Sequence, residues 1–244
     1  MHVEFDGSFD GFLSLIHACY YEKIAPTHIQ EAEGPQLSLS FDLYPVQTCA
    51  TKAAKVQEGI RKKISAQAAL QVHNAFLSYQ PHRFLAILQY VQLGFKVGHM
   101  VDSHLQTPCV ATVHQLARQV GGEAHLLTGF SRFVETENGV FYSPITPKNN
   151  VLPLVAAHFS ARFGSHPWVL HDKKRGQAAL YDGESYLITP VPQEVTLALA
   201  PGEEDMQQLW KGFLKALTIE SRKNPKLQRQ LLPLYFRKNM TEFL

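Results

Sequence analysis

The sequence predicts an α+β protein with an N-terminal helical region, an antiparallel β-sheet with packed helices, and a C-terminal basic helix. Apolar residues recur at helical spacing through much of the first 109 positions. Alternating residues around an Asn-Gly turn then predict strands between positions 130 and 190. Basic residues are concentrated after position 206, and this concentration indicates the basic C-terminal segment.

The length of 244 residues and the hydrophobic content of 45% are those of a globular protein with a substantial core. We expect an α+β core domain over residues 1–190. It consists of a mainly helical part (1–109) and a part with a hairpin, a helix and strands (110–190). A linker and a C-terminal helical segment follow over residues 191–244.

Charge and cysteine content limit the classes of protein. The net charge is +2, but residues 206–244 hold eight basic and two acidic residues, a net charge of +6. Three scattered cysteines without a Cys-x-x-Cys pair predict neither a zinc site nor an iron–sulfur cluster, and they fit a reducing compartment. No apolar run approaches the ~18 residues of a membrane span, and there is no secretion signal at the N-terminus. We therefore expect a cytoplasmic protein that makes no membrane contact.

The mainly helical part begins with an alternating strand, after which Ser8 is placed to cap the first helix. A break near Pro81 interrupts the longest helical region. Many basic residues on these helices are expected to form a solvated face. Helices are predicted over residues 9–23, 48–63 and 65–93, and strands over residues 2–5 and, as an alternative to a loop, 37–41.

The second part combines helices with short strands. Its clearest feature is a hairpin around Asn138-Gly139, in which Arg132 would share a strand face with Phe130 and Val134. Helices are predicted over residues 110–121 and from a cap at Asn149 or Asn150 to residue 163, and strands over residues 130–135, 139–145, 168–172, 178–181 and 185–189.

Histidines and arginines are concentrated between positions 118 and 175, and we expect them to meet at one open, positively charged hollow. Arg118 and His125 would share a helix face if the helix passes through Gly121-Gly122, because seven residues are nearly two turns. The candidate acid–base residues are His125, His158 and His171. The candidate phosphate-binding residues are Arg118, Arg132, Arg162 and Arg175, together with Arg222, Lys226 and Arg229 of the C-terminal segment.

Two groups of histidine and aspartate contain side chains that bind metals in other proteins. His99, Asp102 and His104 are poorly spaced for joint ligation on a helix. The neighbours His171 and Asp172 point to opposite faces of a strand. We therefore predict neither a metal nor a cofactor.

Several short motifs follow one another in a recognisable order. They are Phe5-Asp6-Gly7-Ser8-Phe9, Glu123-Ala124-His125, Gly129-Phe130-Ser131-Arg132-Phe133, His158-Phe159-Ser160-Ala161-Arg162-Phe163 and His171-Asp172-Lys173-Lys174-Arg175. The chain resembles, over nearly its whole length, a bacterial family labelled "probable DNA metabolism protein". Members are typically encoded beside a radical SAM protein thought to act in DNA modification or repair. In some chains the domain is fused to a uracil-DNA glycosylase domain.

The resemblance implies a role in DNA metabolism but assigns no catalytic residue. The sequence holds no Cys-x-x-x-Cys-x-x-Cys motif and lacks the glycosylase extension, so neither of those chemistries transfers to it. One hypothesis is a DNA-binding accessory partner of a radical SAM or uracil-DNA glycosylase protein. A second is an enzyme that uses the candidate histidines and arginines on a phosphate-containing or nucleotide substrate. A third is a satisfied internal network that joins helix to sheet.

Overall fold

The structure, a computed structural model, describes residues 1–32 and 43–244 and confirms the α+β class. The strand predicted over residues 37–41 lies outside the described residues. The helices are α1 Phe9–Tyr21, α2 Ala50–Lys63, α3 Ala66–Phe76, α4 Arg83–Val97, α5 Pro108–Phe130, α6 Leu152–Phe163, α7 Glu203–Leu217, α8 Pro225–Leu231 and α9 Leu234–Arg237. The strands are β1 His2–Phe5, β2 His28–Glu31, β3 Leu43–Pro45, β4 Val134–Glu135, β5 Phe141–Ile145, β6 Trp168–Asp172, β7 Gln177–Tyr181 and β8 Tyr186–Pro190. Short 3-10 helices span Gly98–Ser103, Glu220–Arg222 and Thr241–Phe243.

The chain divides into two compact units, Met1–Gly121 and Gly122–Leu244. The division falls at the double glycine inside α5. The domain boundary proposed from the linker prolines, near residue 190, stays a prediction.

The N-terminal unit contains a parallel sheet that the sequence analysis did not predict. Its strand order is β2-β1-β3, and β1 pairs in parallel with both neighbours. Val3 and Phe5 of β1 are buried, and the Phe5 ring packs against Phe12 of α1 and Phe84 of α4 at centroid distances of 5.7 and 5.0 Å. The sheet therefore adds a layer to a part that was predicted to be mainly helical.

The predicted start of α1 is confirmed at atomic detail. The Ser8 hydroxyl accepts a hydrogen bond from the Gly11 amide at 2.9 Å, and Ser65 caps α3 in the same way through the Ala68 amide. Each serine satisfies one of the amides that a helix leaves unpaired in its first turn.

The helix that was predicted to end at Gly121 is much longer, because α5 continues to Phe130. It includes Phe130, the first residue of the predicted hairpin, and of the predicted strand 130–135 only Val134–Glu135 forms. The apolar stripe continues across the glycines with Val120, Ala124 and Leu127, all buried. Burial of this stripe offsets the ~1 kcal/mol that each interior glycine costs a helix.

The C-terminal unit is built on a five-stranded sheet in the order β4-β5-β6-β7-β8. The sheet is mixed rather than antiparallel, because β5 and β6 pair in parallel while the other neighbours are antiparallel. Helix α6 connects β5 to β6, and such a crossover returns the chain in the same direction. Trp168 and Leu170 of β6 are fully buried at the centre of this unit.

The turn after β7 depends on a glycine. Gly183 has a φ of +105°, and a Cβ there would lie 2.7 Å from the carbonyl oxygen of Ser165. Both the backbone angle and this close approach therefore exclude other residues.

In the described residues, one helical stretch has the length and hydropathy of a membrane span, namely Arg83–Ser103. Of its most apolar window, 44% is buried inside the protein. Helices in the buried core of a protein meet the same two criteria of length and hydropathy. Tyr90 in this stretch is fully buried, and its hydroxyl donates to Asp102 at 2.7 Å.

Candidate functional site

The stretch that was expected to form the site includes a clamp on the loop 147–149. Glu123, a buried residue of α5, accepts hydrogen bonds from the backbone amides of Lys148 and Asn149, both at 2.8 Å. It also accepts one from the Asn149 side-chain amide at 2.7 Å. The carboxylate therefore satisfies backbone donors that would otherwise be buried without partners.

Tyr235 approaches the same carboxylate from the C-terminal part of the chain. Its hydroxyl lies 3.4 Å from Glu123, and the Lys148 ammonium lies 5.2 Å from the centre of its ring. Burial and the nearby Glu123 charge raise the pKa of Tyr235 to about 12. The phenol is therefore neutral at physiological pH and acts as a hydrogen-bond donor.

Arg175 holds the other side of this loop. Its guanidinium bonds the Asp172 carboxylate at 2.8 Å and also donates to the carbonyl oxygens of Pro147 and Lys148. Asp172 is completely buried, whereas the Arg175 side chain is 21% exposed. The arginine thus neutralises a buried charge and ties the end of β5 to the turn after β6.

His171 lies inside the C-terminal unit and is 1% exposed. Its Nδ1 is 2.7 Å from the Tyr142 hydroxyl, whereas its Nε2 is buried and has no hydrogen-bond partner. Burial, with the charge of Lys173, lowers the pKa of His171 and keeps the ring neutral. In this conformation its ring nitrogens are closed to a substrate.

Arg132 lies in the connection after α5, and not on a strand face as expected. It makes a two-pronged interaction with Glu242, in which Nη2–Oε1 is 2.7 Å and Nε–Oε2 is 3.2 Å. The indole of Trp210 donates to the same carboxylate at 3.3 Å. Burial alone would raise the pKa of Glu242, but the hydrogen bonds and charge of Arg132 hold it below its ordinary value.

A hollow of about 470 Å³ opens beside this pair. Its lining includes Arg132 and Trp210 but also the carboxylates of Glu135 and Glu203. Since Glu242 already neutralises Arg132, the local charge is unfavourable for a phosphate.

Arg162 has a more open setting on α6. A shallow hollow of about 390 Å³ is lined by Arg162, Phe163, His166 and Phe141, without a carboxylate. Arg162 is exposed and makes no ion pair within the described residues. Phe141 also lines the Arg132 hollow, so the two depressions are neighbours.

The candidate histidines do not form one group in the described part of the chain. His125 and His158 are exposed on α5 and α6, and no hydrogen bond or ring contact joins either to the other or to His171. Arg118 is exposed on α5, in the N-terminal unit. The candidate arginines at positions 132, 162 and 175 therefore differ in environment. Arg132 is paired with Glu242 beside a hollow, Arg162 is exposed, and Arg175 is bound to Asp172 in the clamp.

The C-terminal segment presents a different surface. Every residue from position 215 to 231 is exposed, and this range includes Arg222, Lys226 and Arg229. None of these three has an ion-pair partner within the described chain, whereas the nearby Lys223 pairs with Glu220 at 2.7 Å. The Asn224 side chain caps α8 by accepting from the Leu227 amide at 3.0 Å.

Helix α7 is exposed along its apolar side and has no buried residue. Three side chains of α7 contact the rest of the unit: Glu203 accepts from the Glu135 amide, Lys211 donates to the Leu244 carbonyl, and the Trp210 indole bonds Glu242. Met206, Leu209 and Phe213 are 62%, 66% and 52% exposed. A surface helix normally buries such side chains, so α7 leaves an unusually large apolar area in solvent.

Among residues 1–32 and 43–244, no group of three or more histidine, cysteine or acidic side chains could hold a metal ion. Asp102, one of the considered ligands, instead accepts hydrogen bonds from Tyr90 at 2.7 Å and lies 2.9 Å from Nε2 of His114. His99 and His104 are exposed on either side of it.

Comparison with known proteins identifies a family that includes the part of the chain that contains these residues. The family model of a domain of unknown function, DUF4130, matches residues 81–242, about two thirds of the chain. The chain belongs to the DUF4130 family. The matched region includes the clamp, both arginine hollows and the exposed basic segment. No curated protein matches the chain.

Several residues of this DUF4130 site were not predicted as members of it. Glu242 lies 110 positions from Arg132, and Tyr235 lies 112 positions from Glu123. Such pairings follow from the tertiary fold, and sequence spacing carries no signal for them. His166 could have been predicted as a site residue from the sequence. It lies four residues after Arg162, just beyond the glycine at which α6 ends.

Proposed function

We propose that this chain is a DNA-binding accessory protein of DNA metabolism and that residues 219–231 contact the DNA backbone. The observation that supports this is the exposure of Arg222, Lys226 and Arg229, which have no carboxylate partner in the described residues. Phosphate contacts from such side chains supply most of the sequence-independent affinity for DNA.

The local geometry of the segment favours contact with a row of phosphates. Lys226 and Arg229 are three residues apart on α8 and therefore share a face. Arg222 lies two residues before the Asn224 cap, on the N-terminal side of the helix. Together they present three cations within a short length of chain.

The arginines of the earlier stretch contribute less to this proposal. Arg132 and Arg175 are bound to Glu242 and Asp172, so a phosphate would have to displace a carboxylate from each. Arg162 and Arg118 are exposed and can add contacts. Binding is therefore proposed to depend mainly on the C-terminal cations.

The second part of the proposal is a protein partner. The resemblance to the DNA metabolism family suggests a radical SAM protein or a uracil-DNA glycosylase, encoded or acting with this chain. The outward apolar side of α7, with Leu209 and Phe213, offers a surface that a partner would cover. A cytoplasmic location, consistent with three free cysteines in the described structure, belongs to the same proposal.

DNA binding is tested by fluorescence polarisation of labelled duplex and single-stranded DNA over a series of salt concentrations. We expect the affinity of the wild-type chain to fall steeply with salt, and the triple variant Arg222→Ala, Lys226→Ala, Arg229→Ala to show a salt slope smaller by about three phosphate contacts. The matched control is Lys23→Ala, Arg61→Ala, Lys96→Ala, which removes the same charge from exposed positions of the N-terminal unit. Equal losses in both variants would show that only net charge matters and would contradict the proposed location.

The partner is tested by pulldown of the neighbouring radical SAM protein with the wild-type chain and with Leu209→Asp, Phe213→Asp. Both side chains are exposed, so the variant should keep its fold while losing capture. The control is Leu70→Asp, an exposed leucine of α3. Capture that the α7 variant retains in full would contradict a contact through this helix.

A further inference from the structure

An aromatic and basic cleft lies in the N-terminal unit, outside the site described above. It is a cavity of about 120 Å³ between α1, α2 and α4. Buried Ile16 and Val56 form part of its lining. The cleft is several times larger than the space that one water molecule needs, which leaves room for one small planar group.

Four rings follow one another along the wall of this cleft. His17 and Tyr21 are stacked with a centroid distance of 4.3 Å, and Tyr20 meets Tyr21 edge-on at 5.3 Å. Tyr20 also meets Phe95 of α4 edge-on at 6.1 Å. Tyr20 and Tyr21 are 61% and 68% exposed, which is a large apolar area to leave in water.

The same cleft is lined by two lysines of α2. Lys55 and Lys63 are exposed and have no ion-pair partner in the described residues. They are eight residues apart, so their positions differ by ~12 Å along the helix axis. Glu22, the acidic residue near this wall, already binds the Tyr44 hydroxyl at 2.9 Å and lies 4.0 Å from Lys52.

Gly59 lies between these lysines and lines the cleft. A Cβ at this position would make ordinary contact with Phe95 at 3.5 Å, so packing does not require a glycine. A glycine inside a helix costs about 1 kcal/mol relative to alanine. Its presence is therefore better explained by the open space that it leaves beside Phe95.

His17 adds a polar atom to the wall. Its Nδ1 is buried and has no hydrogen-bond partner. Burial and the charges of Lys52 and Lys55 lower the pKa of His17, so its ring is neutral at physiological pH. The neutral ring can stack on an aromatic group without repelling the lysines.

We infer that this cleft binds one nucleotide unit, with the base against the rings of Tyr20 and Tyr21 and the phosphate at Lys55 or Lys63. Aromatic walls recognise the face of any base, and the ammonium groups supply the charge that the phosphate requires. The ligand is either a free nucleotide or one unit of a single strand. The inference uses none of the C-terminal cations, so it stands apart from the proposed function.

The test measures binding of oligothymidylate, of an abasic oligomer of the same length and of thymidine monophosphate to the full chain. We expect oligothymidylate to bind more tightly than the abasic oligomer, and Tyr20→Ala, Tyr21→Ala to weaken its binding about 5- to 100-fold. Tyr79→Ala, an exposed tyrosine outside the cleft, is the matched control. Lys55→Gln, Lys63→Gln is compared with Lys62→Gln, whose ammonium pairs with Glu58 at 2.9 Å.

The results separate the two ligand sources and the two proposals. Tyr20-dependent binding of thymidine monophosphate supports a free nucleotide, and Tyr20-dependent binding of the oligomer alone supports a single strand. Binding that is equal for the abasic oligomer, or unchanged by the tyrosine substitutions, overturns the inference. Gly59→Leu, which fills the cleft without removing a ring or charge, must weaken binding as well. The results with the cleft variants do not depend on whether the Arg222, Lys226 and Arg229 variant loses duplex binding.

Discussion

The clamp around residues 147–149 and the basic segment 219–231 use the same kinds of charged residue in opposite ways. In the clamp, Glu123 and Arg175 are bound on several sides and hold backbone groups in place. In the basic segment, Arg222, Lys226 and Arg229 extend into solvent without carboxylate partners in the described chain. Both regions lie in the part that matches the DUF4130 family.

The difference shows that residue type alone does not separate a structural arginine from one that is available to a ligand. Arg175 occurs in the run His-Asp-Lys-Lys-Arg and looks as suitable for phosphate as Arg229 does. Its partner Asp172 is fully buried, however, so removing the arginine leaves an uncompensated charge. The environment of each cation therefore decides which experiment will detect its role.

The largest expected effect is on the stability of the clamp. Arg175→Ala should lower the free energy of unfolding by about 3 kcal/mol, because the buried Asp172 carboxylate loses its counter-charge. Chemical denaturation measures this effect. The double variant Arg175→Ala, Asp172→Asn is the control and should recover part of the loss. If Arg175→Ala unfolds at the wild-type denaturant concentration, the clamp is not a stabilising element.

A smaller effect is expected from the buried histidine beside the clamp. Since the pKa of His171 is lowered in the folded state, the unfolded chain binds the proton more readily. Its contribution to stability is therefore present above about pH 6.5 and is lost as the pH falls below that value. Relative to His171→Gln, wild-type stability should fall by at most about 1.4 kcal/mol per pH unit in that range. His17 and His73 titrate in both proteins and cancel. If the difference in unfolding free energy between wild type and His171→Gln does not change with pH, a buried neutral His171 is contradicted.

The smallest stability effect is expected in the exposed segment. Arg222→Ala, Lys226→Ala and Arg229→Ala should each change the free energy of unfolding by less than about 0.5 kcal/mol, because these side chains are exposed and have no ion-pair partner in the described chain. The same denaturation experiment checks this. A loss of 2 kcal/mol or more in any of them would show an intramolecular role and would remove the contrast with the clamp.

Local signals in the sequence predicted much of the fold. The Ser8 cap, the strand β6 and the helix break near Pro81 each depend on neighbouring residues, and the structure contains all three. Predictions failed where tertiary packing outweighed local preference. Burial of Ala124 and Leu127 carried α5 through its glycines and moved Arg132 off the predicted strand.

The candidate site was less predictable for a related reason. The sequence singled out Arg132 and Arg175 as cations but gave no sign that Glu242 and Asp172 would bind them. It also identified the basic C-terminal segment from composition alone. Whether those cations are exposed depends on which faces of α7 and α8 the rest of the unit covers, and residue spacing does not determine this.

The central claim, that DNA meets the exposed segment rather than the clamp, is tested most directly by photochemical crosslinking. Full-length protein is irradiated with DNA that carries a photoreactive thymine analogue, and the crosslinked peptides are identified by mass spectrometry. We predict crosslinks within residues 219–231, and their loss in the Arg222, Lys226 and Arg229 triple variant. Crosslinks confined to residues 147–149 and 172–175, and unchanged in that variant, would contradict the account.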